Sequence, residues 1–157
     1  MRLARELALP LVTLIDTPGA DLSPESENEG QAQEIARCIA EMVSLTSPSV
    51  SVLVGQGAGG GALALFPAAR TIALPAAWLA PLPPEGASVI AFGDTGHAPL
   101  IAETQGISAP ALLRDGLLSA VVPQRPDDTT RTLARALLAE ARAQLTAQFP
   151  DEKRQRY

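Results

Sequence analysis

Five glycines lie within the seven residues Gly55–Gly61, between an apolar run at 50–54 and a second apolar run at 62–66. Because glycine has no Cβ atom, the backbone here can approach a ligand closely and can adopt positive φ values. The order predicts a strand, a glycine turn and a helix whose first N–H groups have no acceptor within the helix. Such a turn favours an anion or a developing oxyanion, although a tight turn that serves packing alone is the simplest alternative.

Apolar runs alternate with amphipathic stretches along the chain, which predicts an α/β domain. The predicted strands are 11–15, 50–54, 70–74, 77–80 and 118–122. The predicted helices are 2–9, 26–43, 62–66, 85–92, 97–105, 108–114 and 129–147. Ser26 and Glu29 have the spacing of a capping box, and the last helix is expected to turn four leucines inward: Leu133, Leu137, Leu138 and Leu145. We expect one domain over 1–149 and a polar tail over 150–157.

The composition excludes several classes of protein. The net charge is −5 and aromatic residues make up 3% of the chain, which argues against nucleic acid as a partner. Cys38 is the single cysteine and His97 the single histidine, so we expect no metal site built from such residues. No run of 18 apolar residues occurs and residues 1–6 lack the apolar stretch of a signal peptide, so we expect a cytoplasmic protein that does not cross a membrane.

Three common functions of glycine turns fit this sequence poorly. Gly55, Gly57 and Gly60 match the dinucleotide-binding pattern, but no carboxylate ends the next predicted strand. A phosphate loop would need Lys-Ser or Lys-Thr after the glycines, and a serine hydrolase would need a nucleophile in the turn and a base. His97 is expected only to begin a helix. Asp16 is expected to stabilise the turn that follows the first strand, and a polar group in a binding pocket is the alternative. Backbone N–H groups that stabilise an oxyanion therefore fit best, with substrate or cofactor supplying the base.

Several spaced motifs in one order resemble the carboxyltransferase α part of acetyl-CoA carboxylase. They are Ile15–Ala20, Gly30–Ala32 with Ile35–Arg37, Gly55–Ala64, Pro84–Ser88, and Ala102–Glu103 with Gly106–Ile107. The resemblance covers about residues 2–123. It implies an α/β fold of the crotonase type, which is a spiral of ββα units. The chain is expected to be the C-terminal half of this fold and to lack its first strands.

The resemblance also implies a reaction. A carboxyl group passes from carboxybiotin, carried on a separate protein, to the enolate of an acyl-CoA, giving malonyl-CoA for fatty acid biosynthesis when the acyl group is acetyl. Backbone N–H groups form the oxyanion holes, and biotin itself takes the proton. The residues implied for the biotin-side hole are Gly60 and Gly61, with Ala62 beside them. The residues implied for cofactor binding are Gly57, Gly59, Pro84, Glu85 and Gly86, and no metal is implied in this chain.

The implied partners are a β-type carboxyltransferase half, or an N-terminal half on the same chain, and a biotin carboxyl carrier protein. A homo-oligomer is also expected. The isolated chain should be inactive and should self-associate, with Trp78 and the last helix as the candidate surfaces. Two alternatives stay open: a non-catalytic assembly half, or another crotonase-type acyl-CoA enzyme such as a hydratase or isomerase.

Overall fold

The computed structural model describes residues 1–21 and 23–149. The strands are β1 (Leu11–Thr17), β2 (Ser49–Ala58), β3 (Arg70–Ala73), β4 (Trp78–Ala80) and β5 (Ala120–Val121). The helices are α1 (Arg2–Glu6), α2 (Pro24–Asn28), α3 (Gln31–Val43), α4 (Gly59–Leu65), α5 (Pro84–Phe92), α6 (Ala98–Gln105), α7 (Ala109–Arg114) and α8 (Thr130–Thr146). The predicted polar tail at 150–157 lies outside the described residues.

The five strands form one parallel sheet. Its order is β1-β2-β3-β5, and β4 pairs with the last residues of β2. The central strand β2 is buried over residues 49–53, whereas the edge strand β1 alternates and exposes Val12 and Leu14. Strand β2 is longer than the strand predicted at 50–54, because it continues through Gly55 and Gly57 before it ends.

The core lies between this sheet and the helices that contact it. Ile15, Val50, Val52, Leu53 and Ile72 are almost completely buried at its centre. Helix α4 contacts β1 and β2, and α8 contacts β2 and β3. Burial of large aliphatic side chains in this way stabilises a fold by about 1.5–3 kcal/mol each.

Buried hydroxyl groups fix the C-terminal end of α4 to the sheet. The Ser51 hydroxyl donates to the Leu65 carbonyl oxygen at 2.6 Å, and the Thr13 hydroxyl donates to that oxygen at 3.0 Å. The Thr13 hydroxyl also lies 2.9 Å from the Ser51 oxygen. Since β1 and β2 both hold the same carbonyl, the position of the short helix relative to the strand ends is well defined.

The predicted helix at 26–43 is wrong in one respect, because it is two helices. Gly30 has φ +83°, a left-handed conformation that interrupts an α-helix, and α3 begins after it. The cap also differs, since the Ser23 side chain accepts the Ser26 N–H at 3.2 Å. Ser26 lies inside α2, so its predicted capping box with Glu29 does not form.

The predicted inward face of the last helix is also partly wrong. Leu133, Leu137 and Leu145 pack against the core, but Leu138 is 71% exposed. The inward residues recur at intervals of four, with the buried Ala141 completing the series. Leu138 is one residue out of that series and therefore lies about 100° around the helix.

Candidate active site

Three chain segments meet where β1, β2 and β4 end: the turn after β1, the glycine turn, and the segment before α5. A methyl group on Gly59 would lie 3.6 Å from the Gly19 Cα atom and 3.8 Å from the Pro81 carbonyl oxygen. A methyl group on Gly61 would lie 3.7 Å from the Ala20 nitrogen. The glycine turn is therefore enclosed by backbone on two sides.

Helix α4 supplies the hydrogen-bond donors of this site. It begins at Gly59, which has φ +66°, and Ala58 is its N-cap in an extended conformation. The N–H groups of the first helical turn have no acceptor within the helix, whereas the helical pattern directs the N–H of Ala62 to the Ala58 carbonyl. Gly60 and Gly61 are half-buried, while Ala62 is fully buried beneath them. Gly59, which begins the helix, is half-buried as well, so the assignment of Gly60 and Gly61 as the donor pair stays a prediction.

Close packing fixes both ends of the glycine turn. A methyl group on Gly57 would lie 2.8 Å from Leu53 Cδ1 and 2.9 Å from both Leu79 Cδ1 and the Trp78 carbonyl oxygen. A methyl group on Gly60 would lie 3.0 Å from Cδ1 of Ile35 on α3. Gly57 therefore has a packing role in β2, and its role in cofactor binding stays a prediction.

A cleft of about 740 Å³ lies beside the turn, at the ends of the strands. Pro84 and Glu85 line it, as does Gln56, which immediately precedes Gly57. Gly86 instead faces the Leu82 side chain. The other residues that line this cleft were not predicted as site residues, although Trp78 was a candidate surface for self-association. They are Pro18, 75–78, Pro83, Ala98, Pro99, Ala102, Ile107 and Ser108. They could not be found from the sequence because they come from five separated segments.

The start of α5 places Glu85 in the first helical turn, where a carboxylate is favoured by the helix dipole. Glu85 is exposed, and Pro84 before it is buried. The buried Ser88 hydroxyl donates to the Asp94 carbonyl oxygen at 2.6 Å and accepts the His97 N–H at 3.1 Å. This hydroxyl joins α5 to the start of α6, and so it holds one wall of the cleft.

His97 lies apart from the donor pair. It occupies the N-cap position of α6, as expected, and its ring stacks on Phe92 with the centroids 4.1 Å apart. Its Nδ1 atom lies 3.2 Å from Asp94 Oδ1. Both side chains of this pair are exposed, so the imidazole is engaged with its own hairpin rather than with the glycine turn.

The described residues form neither a cluster for a metal ion nor a helix that could cross a membrane. Within 1–21 and 23–149, no group of three or more His, Cys, Asp or Glu side chains is placed to hold a metal ion. Across that part of the chain, no helix has both the length and the apolar character needed to cross a membrane.

Comparison with known proteins identifies the family. A family model described as acetyl co-enzyme A carboxylase carboxyltransferase-like matches residues 1–156. The chain belongs to this family. The resemblance inferred from the spaced motifs is therefore confirmed.

Two curated relatives of this carboxyltransferase-family chain show how much of a longer protein it represents. A probable biotin-dependent acyl-coenzyme A carboxylase beta3 subunit of Mycobacterium tuberculosis (strain ATCC 25618 / H37Rv) is 51% identical over 137 residues, which is 87% of this chain and 28% of that relative. The acetyl-coenzyme A carboxylase carboxyl transferase subunit alpha of Chlorobium phaeovibrioides (strain DSM 265 / 1930) is 36% identical over 152 residues, covering 92% of this chain and 45% of that subunit. The chain thus spans less than half the length of either.

Solved structures support the fold. The transcarboxylase 12S structure, determined with methylmalonyl-coenzyme A and methylmalonic acid bound, superimposes with a TM-score of 0.66 at 26% identity. The match covers 87% of this chain and 28% of that one. The predicted α/β fold of the crotonase type is confirmed, and its sheet is parallel.

Proposed function

We propose that this chain forms the biotin-facing wall of the carboxyl-transfer site in a biotin-dependent acyl-CoA carboxylase. The Gly60 and Gly61 N–H groups would donate hydrogen bonds to the ureido carbonyl oxygen of biotin. One observation carries the proposal: in a chain of this family, two half-buried first-turn amides have no acceptor within their helix. A cleft at the ends of the strands is lined by Gln56, which lies four residues before Gly60.

The residues present fit such a group. A neutral carbonyl oxygen needs donors and no countercharge, and adjacent backbone amides supply donors without a side chain that could block the approach. The neighbouring cleft, of about 740 Å³, lies within the usual range for a bound small molecule, roughly 300–1,000 Å³. Gln56 and Glu85 offer polar side chains on its lining, and we assign them to binding and orientation.

When bound, carboxybiotin supplies the carboxyl group that an acyl-CoA receives. The part of this chain is to hold the carbonyl oxygen and to stabilise negative charge there as it develops. Because the donors belong to a packed turn, they need no reorganisation during the reaction, and such preorganised donors are the most effective. The nearby Asp16 carboxylate already accepts the Gln56 N–H, so we assign it no role as a base.

The activity of the whole protein is proposed on the same basis. We place it in the cytoplasm as a homo-oligomer that acts on acyl-CoA, acetyl-CoA included, with a biotin carboxyl carrier protein. A second carboxyltransferase half, on a partner or on the same chain, would complete the site. The support is that relatives named as carboxylase subunits extend well beyond the matched segment. If the alternative of a non-catalytic assembly half is right, loss of the donors will not change turnover.

Two substitutions at Gly61, made in the complete enzyme, test the donor assignment. Gly61→Pro removes the N–H, and proline is tolerated in the first turn of a helix. We expect it to lower kcat for carboxyl transfer by about 10²–10³, the usual effect of losing one oxyanion donor. Gly61→Ala keeps the N–H, and its methyl group meets backbone atoms only at 3.7–4.0 Å. We expect its kcat to stay within about three-fold of the wild-type value.

The control for Gly61→Pro is an unchanged circular dichroism spectrum and an unfolding temperature close to that of Gly61→Ala. Near-wild-type turnover by a folded Gly61→Pro enzyme would refute the donor assignment. Equal losses in both variants would refute it as well, since the alanine variant retains the donor.

A further inference from the structure

The pairing between β1 and β2 is interrupted just before the glycine turn. Ile15 pairs with Leu53, but the next pair is Thr17 with Gly57. Three residues of β2, 54–56, therefore lie opposite the single residue Asp16. A bulge of this kind redirects a strand and leaves backbone groups without their ladder partners.

The Asp16 side chain occupies the gap in the ladder. Its Oδ1 atom accepts the Gln56 N–H at 2.9 Å, so a carboxylate takes the place of a strand carbonyl. Bonds between a backbone N–H and an ionised acceptor are stronger than neutral ones. The expectation that Asp16 stabilises its own turn is wrong, because the Thr17 hydroxyl accepts the Gly19 N–H at 3.2 Å and donates to the Gly19 carbonyl at 3.0 Å.

Gly55 is matched to this carboxylate. A methyl group on Gly55 would lie 2.5 Å from Asp16 Oδ1 and 3.1 Å from Asp16 Cγ. The third nearest atom, at 3.4 Å, is Asp16 Oδ2, so the closest neighbours all belong to one side chain. The absence of a side chain at Gly55 is therefore a requirement of the Asp16 interaction rather than of the backbone conformation.

We propose that Asp16 is a positioning residue for the site. Its carboxylate fixes the Gln56 peptide, which sets the direction in which β2 leaves the bulge. Gly57 then pairs with Thr17 and Leu79, and the donor pair of α4 follows three residues later. The same contact holds Gln56 where it lines the cleft. The effect on turnover rests on the proposed function, whereas the effect on the geometry of the turn does not.

Four variants of the complete enzyme test this role: Asp16→Ala, Asp16→Asn, Gly55→Ala, and the double variant Asp16→Ala/Gly55→Ala. Asp16→Ala should lower kcat by about 10–100-fold, because a small displacement of the donor N–H groups has an effect of this size. The KM for acyl-CoA should change less. Asp16→Asn keeps an oxygen acceptor and should recover most of the lost kcat. Gly55→Ala should resemble Asp16→Ala, because its methyl group displaces the carboxylate.

The double variant tests most directly whether Gly55 and Asp16 act through the same contact. If the only obstacle to a methyl group at Gly55 is Asp16, the double variant should be no worse than Asp16→Ala. Losses that multiply would mean that Gly55 and Asp16 act independently, and this result would overturn the proposal. Failure of Asp16→Asn to recover any activity would also overturn it.

A spectroscopic readout separates this proposal from the proposed function. In the ¹⁵N-labelled full chain, the Gln56, Gly60 and Gly61 amide resonances should shift in Asp16→Ala and Gly55→Ala and return toward wild-type positions in Asp16→Asn. If they shift while Gly61→Pro leaves turnover intact, Asp16 positions the turn but the proposed function is wrong. Unmoved Gly60 and Gly61 resonances in Asp16→Ala would overturn the positioning role itself.

Discussion

Substitution of Gly57 by alanine should destabilise the chain through three close contacts. The added methyl group would lie 2.8 Å from Leu53 Cδ1 and 2.9 Å from Leu79 Cδ1. Carbon atoms in proteins pack at about 3.5–4.0 Å, so each neighbour would have to move by roughly 0.6–1.2 Å. The side chains can rotate away in part, but the Trp78 carbonyl oxygen, also at 2.9 Å, belongs to the paired strand β4.

Overpacking of this kind costs about 1–3 kcal/mol. For a domain of this length, 1 kcal/mol lowers the unfolding temperature by roughly 2–4 °C, so we expect a decrease of about 2–12 °C. The backbone at Gly57 does not have a positive φ, so steric contact is the only cause invoked. Shortening Leu79 in a Gly57→Ala/Leu79→Val variant should restore part of the loss and leave the parts due to Leu53 Cδ1 and the Trp78 carbonyl.

The assay is thermal and urea unfolding of the purified chain, followed by circular dichroism. Gly61→Ala is the matched control, because the same methyl group there has ordinary contacts and should change the unfolding temperature little. Equal stabilities of Gly57→Ala and wild type would refute the packing explanation for this glycine. A full rescue by Leu79→Val would show that neither Leu53 nor the backbone of β4 contributes.

Three further predictions concern a contact of Gly60, the imidazole of His97 and the loop before α8. Gly60→Ala should be better tolerated in an Ile35→Val background, which removes the Cδ1 atom at 3.0 Å, and unfolding free energies should show a coupling of about 0.5–3 kcal/mol; additive values would contradict the contact. His97→Ala should leave carboxyl transfer within about three-fold of wild type, and a hundredfold loss in kcat at unchanged stability would mean that the imidazole acts in the reaction. The Arg125 N–H donates a hydrogen bond to the Asp128 carboxylate, and this bond is the main cause of the lowered pKa of Asp128. The ionised carboxylate therefore stabilises the fold at pH values above the pKa of an aspartate in the unfolded chain, about 3.9. The stability difference between wild type and Asp128→Asn should therefore shrink as the pH falls from about 4 through the lower folded pKa, and a difference independent of pH would contradict this.

Local sequence signals predicted most of the elements that position the site. The apolar run before Gly55 and the apolar run beyond Gly61 predicted the correct order of strand and helix. The predicted turn between them is wrong as a separate segment, because β2 ends at Ala58 and α4 begins at Gly59. The start of α5 was predicted one residue late, at Glu85, whereas the helix begins at Pro84, a position in the first turn that proline favours. These features depend on backbone conformation and on side chains close in sequence, which is why the residues alone reveal them.

Features that depend on contacts between distant segments were not predictable. The helix periodicity continues through Gly30, and only the left-handed conformation at that residue shows that α2 and α3 are separate. The interaction of Asp16 with the Gln56 N–H joins residues 40 positions apart. No local pattern distinguishes a carboxylate that closes a turn from one that bridges a bulge in the next strand, since both follow a strand and precede Pro-Gly.

The glycine turn shows why a dense motif is a poor guide to the number of functional groups in it. Gly55 leaves room for Asp16, Gly60 for Ile35, and Gly57 for Leu53, Leu79 and the Trp78 carbonyl. Gly59 has the left-handed conformation that glycine adopts readily. Only Gly61 combines a backbone conformation and a surrounding space that would accept a methyl group. Substitutions at the other four positions would change packing or backbone strain together with any chemistry. Gly61 is therefore the position at which removal of an N–H can be compared with an added methyl group, and at which the proposed oxyanion hole is most directly tested.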